Sequence, residues 1–213
     1  MLKEVCVENF TSVPKAIRQG ADRIELCDNL AVGGTTVSAG VMEQTVKCCK
    51  TVGIPVMVIV RPRGGNFVYG ETEKNMMLRD IQYAREIGAS GIVIGALTEK
   101  NELDKAFLKA ALKSSGQMEA TFHMAFDEIA GNDQLEAIDW LCEAGFSRIL
   151  THGGSLTTPI EENFDKLREV IAHAGNRIII LPGGGITNEN VPMIQKELAV
   201  QEVHGTKVVG KLV

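Results

Sequence analysis

The sequence predicts an α/β fold, a near-minimal TIM (β/α)8 barrel with a truncated last helix, on three observations. Short apolar runs alternate with helix-period stretches from one end to the other, the pattern of a parallel sheet covered by helices. Eight such units can be counted without a linker or low-complexity segment, and the count favours a closed barrel over an open doubly wound sheet. The tail 205–213 is too short for a full eighth helix. At 213 residues the chain lies near the lower end of the fold's range, which makes 1–213 one TIM-barrel domain. The missing helix would leave a flank under-covered, so a homo-oligomer, dimer or tetramer, is expected.

Taken in order, the strands are expected at about 3–8, 23–27, 56–61, 91–96, 119–123, 148–151, 177–181 and 202–204. The third is the most informative. Pro55 opens an apolar run in which Val56, Val58 and Val60 alternate with Met57, Ile59 and Arg61, so Arg61 shares a face with interior-type residues until Pro62 stops the strand. Gly20, Gly88 and Gly145, each just before a strand, read as left-handed helix stops. Thr158-Pro159-Ile160-Glu161 reads as a helix start, with Thr158 capping, Pro159 in the first helical position and Glu161 reaching back.

Composition limits the partner. A net charge of -5 and a pI near 5.5 leave no basic face for nucleic acid or anionic lipid, and no window approaches the roughly 18 apolar residues of a membrane span. Lys3 and Glu4 interrupt the place of a signal-peptide apolar core, so a cytoplasmic location is expected. Five cysteines with no C-x-x-C pair argue for reduced thiols over a disulfide framework or closed zinc site. No organic cofactor is indicated.

Strand alternation turns an unusually polar set inward: Glu4, Cys6 and Glu8; Arg23, Glu25 and Cys27; Arg61; Glu119, Thr121 and His123; Glu202 and His204. Residues that begin their strands (Glu4, Arg23, Glu119, Glu202) are expected to form an internal ion-pair network in which Arg23 and Arg61 neutralise Glu4 and Glu25. Strand ends build the active site in this fold, which singles out Glu25, His123 and Asp127 as candidate acid/base groups, with Asp127 positioned to orient His123. Arg61 and Arg63, with the loop Gly183-Gly184-Gly185, suit a small anionic, even phosphorylated, ligand. No lysine faces inward at a strand end, which argues against Schiff-base chemistry. Cys6 and Cys27 sit on adjacent strands, where two inward thiols could share a soft ion such as Cu(I), with His123 or His204 nearby. Simple packing of small cysteines is the alternative, and it accounts for Cys48, Cys49 and Cys142 on the helices.

The segments EVCVEN (4–9), RIELCDNLAVGGTT (23–36), RPRGGNFVY (61–69), GALT (95–98), TFHMAFD (121–127), ILTHGG (149–154), PGGGI (182–186) and EVHGT (202–206) closely resemble the CutC copper homeostasis family over almost the whole chain. The resemblance implies a cytoplasmic, oligomeric TIM barrel assigned to copper binding and homeostasis. The family pattern reads TFHRAFD and LTSGG where this chain carries Met124 and His152. Two functional classes therefore stand: a Cu(I)-handling protein using Cys6 and Cys27, and an enzyme acting on a small anion through Glu25, His123 and Asp127.

Overall fold

The computed structural model describes residues 1–212. Eight parallel strands, β1 (Leu2–Glu8), β2 (Arg23–Cys27), β3 (Val56–Ile59), β4 (Gly91–Ile94), β5 (Glu119–Phe122), β6 (Arg148–Thr151), β7 (Ile179–Pro182) and β8 (Glu202–Gly205), alternate with seven α-helices. The helices are α1 (Val13–Arg18), α2 (Ala39–Lys50), α3 (Glu71–Glu86), α4 (Lys105–Ser115), α5 (Gln134–Ala144), α6 (Phe164–Ala174) and α7 (Val191–Leu198). The strands hydrogen-bond in the order β7-β6-β5-β4-β3-β2-β1-β8. β7 and β8 pack side by side, and just beyond them Thr187 and Lys207 form a parallel bridge, so the barrel is nearly closed. Among the described residues no helix follows β8.

Period-2 alternation sorts the apolar residues into two layers. Val5, Val7, Ile24, Leu26, Val56, Val58, Ile92 and Ile94 join the large core between strands and helices, where α2 buries Met42, Val46 and Cys49. Cys6, Cys27, Met57, Ile59 and Val93 form a separate cluster inside the barrel. Past the end of β3 the backbone stays pinned. The Arg61 N–H donates to Thr36 Oγ1 (2.9 Å), and the Thr36 N–H returns a bond to Arg61 O (2.9 Å).

Gly20, Gly88 and Gly145 have φ of +88°, +81° and +98°, the left-handed stops expected at helix ends. Two local expectations are corrected. β7 begins at Ile179, because Arg177 leaves the strand line to bond Asp139 (2.6 Å) and the carbonyl of His173 (2.7 Å). The predicted cap at Thr158 is absent: its hydroxyl bonds the carbonyl of Ser155 (3.0 Å), residues Ile160–Asn163 form a 3-10 turn, and α6 starts only at Phe164.

Candidate functional site

The amino-terminal ends of the strands carry a chain of ion pairs that forms the floor of the barrel. Arg23 joins Glu4 to Glu202 (2.6 Å), and Arg148 joins Glu202 (2.9 Å) to Glu119 (2.7 Å). His204 Nδ1 lies 2.8 Å from Glu4 Oε1. Burial acts to raise the Glu4 carboxyl, but the hydrogen bond and charge of His204, followed by those of Arg23, outweigh it and hold the group at about 2. The expected share of Arg61 in this network is corrected. Its partner role falls to Arg148, which opens β6 two residues before the inward Leu150 and so shares its face.

Above the floor, pairing of Cys6 with Glu25 and of Glu8 with Cys27 sets the two cysteines diagonally across β1 and β2, with their sulfurs 3.6 Å apart. Cys6 Sγ is 3.3 Å from Glu25 Oε1, and His204 Nε2 is 3.9 Å from the same oxygen. Cys6, Glu25 and His204 thus present three candidate metal ligands within 4.8 Å of one another. Hydrogen bonding with Cys27, burial and the nearby Glu25 charge hold the Cys6 thiol well above its usual range. Burial, opposed by the charge of His204, raises Glu25, whose Oε2 has no partner. Burial works against a charged His204, but Glu25 and Glu4 overcome it and shift its titration upward.

The donor set suits a soft monovalent ion. A pair of cysteine sulfurs, once deprotonated, is a preferred ligand set for Cu(I). Cys6 and Cys27 would hold such an ion through their sulfurs, which stand 3.6 Å apart.

A second wall of the mouth is built from Arg61, Phe67 and His123. The Arg61 Nη1 donates to the carbonyls of Val32 (2.8 Å) and Gly34 (3.0 Å), and Nη2 to that of Gly65 (2.8 Å). Its guanidinium lies 4.8 Å from the Phe67 ring centroid, and Phe67 packs 4.9 Å from the His123 ring. His123 Nδ1 accepts the Ala125 N–H (3.1 Å), which puts the ring proton on Nε2, an atom without a partner. Burial, then the Arg61 charge, push His123 down to about 3. Burial and the Arg61 charge thus favour the neutral ring, with its N–H at Nε2. Gly95 makes its placement possible, since a Cβ there would stand 2.4 Å from His123 Cε1.

Not every predicted residue converges on this mouth. Arg63 turns away: it bonds Glu73 (2.5 Å) and the carbonyls of Asn66 (3.0 Å) and Val68 (2.8 Å). Asp127 does not touch His123; its carboxylate accepts from Thr151 Oγ1 and from the His152 N–H (2.9 Å), which fixes the loop after β6. His152, in turn, lies between the carbonyls of Gly183 (3.0 Å) and Thr158 (3.1 Å). Gly184 and Gly185 line the mouth at φ of +82° and +74°. Cys6, Glu25, Arg61, His123 and His204 share one cavity of about 560 Å³. Phe67, Leu156 and the exposed Lys207 also line it, and sequence reasoning missed these because loops bring them in; Met124, noted as a departure from the family pattern, lines it from the start of a 3-10 turn.

The model of the CutC family matches residues 1–209. A CutC family protein of Enterococcus faecalis is 54% identical over 209 residues, 98% of this chain and 100% of that protein. The human copper homeostasis protein cutC homolog is 42% identical over 203 residues, 95% of this chain and 72% of that protein. Among solved structures, CutC of Streptococcus agalactiae superposes with a TM-score of 0.95 at 43% identity, over 98% of this chain and 99% of that one. The aldolase QR15 matches at 13% identity with a TM-score of 0.72, over 100% of this chain and 92% of that one, a likeness of fold.

Proposed function

This chain belongs to the CutC family, and we propose that it binds and hands on Cu(I) through Cys6 and Cys27 at the mouth of the barrel. The observation that carries the reading is the pair of free, buried thiols 3.6 Å apart, one of which lines a cavity open at the strand ends. A cytoplasmic setting belongs to the same proposal, because reducing conditions keep such thiols available.

Loading must displace the thiol protons, since thiolates and not thiols ligate the metal. Glu25 is placed to take the proton of Cys6: one of its oxygens lies 3.3 Å from the sulfur and the other is free. His204 stands next in line at 3.9 Å from Glu25. The neighbours thus offer a route by which a thiol raised by its surroundings can still release its proton when a soft cation arrives.

A chelator-competition titration with Cu(I) under reducing conditions tests this. Wild type should bind one ion, Cys6→Ser with Cys27→Ser should bind none, and Cys48→Ser, a partly exposed thiol on α2, should match wild type. Binding should weaken as pH falls because protons compete for the thiolates. Intact one-to-one binding in the double serine variant would sink the proposal. Assembly as a dimer or tetramer completes it; light scattering that gives a monomer would remove that part.

A further inference from the structure

We infer that the cavity beside the thiol pair is also a receptor for a small organic carboxylate, held by the charge and Nε–H of Arg61 and by the Nε2–H of His123. Charge balance is the first argument. Arg61 is 4% exposed, and its terminal nitrogens meet the carbonyls of Val32, Gly34 and Gly65, with the Tyr69 hydroxyl close by, neutral groups that bring no opposite charge. The other inward arginines each bridge two carboxylates, Arg23 between Glu4 and Glu202 and Arg148 between Glu202 and Glu119. Taking an ion out of water costs several kcal/mol unless an opposite charge meets it. No ion pair among the described residues includes Arg61, so its charge is open to an anion from outside the chain.

The donors supply the second argument. Arg61 Nε and His123 Nε2 are both buried and both without a partner. Phe67 packs against each of them, so the two belong to one wall of the cavity. Because His123 is neutral, the wall offers two N–H groups and one positive charge. That set matches a singly charged carboxylate; Lys207, exposed at the rim of the same cavity, is a second cation of the lining, so inorganic phosphate is the comparison that decides between a carboxylate and a dianion. Among the acidic groups of the lining, Glu25 is engaged with Cys6 and His204, and Glu128 is exposed.

The lining makes the ligand organic. A volume of about 560 Å³ falls in the range of small-molecule sites. Val32 and Leu156, 41% and 62% exposed, give the opening an apolar rim that an alkyl or aryl portion would cover. The inference stands apart from the copper reading, since neither sulfur takes part.

Calorimetry on the full chain tests it with butyrate, hexanoate and 2-oxobutyrate as probes, butyramide as the uncharged control and inorganic phosphate as the competing anion. At least one carboxylate should bind saturably at one per chain, while butyramide and phosphate should not. Arg61→Met should weaken that binding by about 10- to 100-fold, the worth of a hydrogen bond to a charged group, and His123→Phe by about 10-fold. Cys6→Ser with Cys27→Ser should bind the same carboxylate as wild type does, whatever becomes of copper. The inference fails if none of the three carboxylates saturates, if phosphate or butyramide binds as well as they do, or if His123→Phe binds unchanged. Those comparisons decide it even if Arg61→Met does not fold.

Discussion

The floor and the mouth of this barrel are both polar and both buried, yet they differ in whether their groups are partnered. On the floor, Glu4, Arg23 and Arg148 have every buried side-chain atom bonded, in a chain that runs Glu4–Arg23–Glu202–Arg148–Glu119. At the mouth, Glu25 Oε2, Arg61 Nε and His123 Nε2 have none. Burying an unpaired polar atom is costly, so evolution of a stable fold alone would remove such groups or pair them. The difference separates charged residues that pair with one another from charged or ionisable residues that keep an open atom; it is not shared by every polar group, since Thr121 Oγ1, in register with Arg148, is also without a partner.

The sharpest way to break this comparison is to mutate one arginine from each end. Arg23→Met strands Glu4 and Glu202 inside the barrel and should cost about 3–5 kcal/mol of unfolding free energy. Arg61→Met removes an uncompensated charge along with its carbonyl bonds, and the two effects should offset to within about 1 kcal/mol. Urea unfolding of both variants reads the difference directly. Equal losses would mean that the mouth is as structural as the floor.

Acid should separate the two ends as well. A histidine held at about 3 in the fold and near 6.5 when unfolded gives its full stability above pH 6.5 and loses it as pH falls towards 3. Glu4, held at about 2, gives its full stability above 4.5 and loses it only below that value. Between pH 6.5 and 4.5 His123 is thus expected to erode stability while Glu4 does not, at about 1.4 kcal/mol per pH unit for one group. His204 does not contribute to that loss, because its titration is raised and its stability is complete below 6.5. His123→Phe should flatten this part of the pH profile of the urea midpoint; an unchanged slope would place the acid-sensitive group elsewhere.

Much of this arrangement could be read from the chain, for a physical reason. A strand alternates with a period of two, so Val5 and Val7 facing the helices require Cys6 to face inward, and Ile24 and Leu26 require the same of Glu25 and Cys27. Adjacent order in sequence then brings Cys6 and Cys27 together. The pairing of Arg148 was open to the same argument, yet its place at the start of a strand gave no reason to prefer it over Arg61. Loops are another matter. The Ser155 carbonyl that takes the Thr158 hydroxyl, the Thr151 hydroxyl that takes Asp127, and the Ala125 N–H that sets the His123 tautomer are all chosen by tertiary closure, which has no period in sequence.

Arg61 and Arg63 make the smallest but most discriminating case. Both follow β3 and are separated by Pro62 alone, and the sequence offered them as one anion clamp. Arg61 is still tied to the strand through Thr36 and is 4% exposed. Arg63 lies beyond the turn, where its side chain is 38% exposed and bonded to Glu73, which also accepts the N–H of Gly70 at the start of α3. A half-exposed pair of this kind is worth less than about 1 kcal/mol. Arg63→Gln is accordingly expected to change the urea midpoint slightly and to leave both Cu(I) and carboxylate affinities at wild-type values. A loss of either affinity comparable to that of Arg61→Met would show that the turn acts as a unit, and would bring Arg63 back to the mouth from which its hydrogen bonds now exclude it.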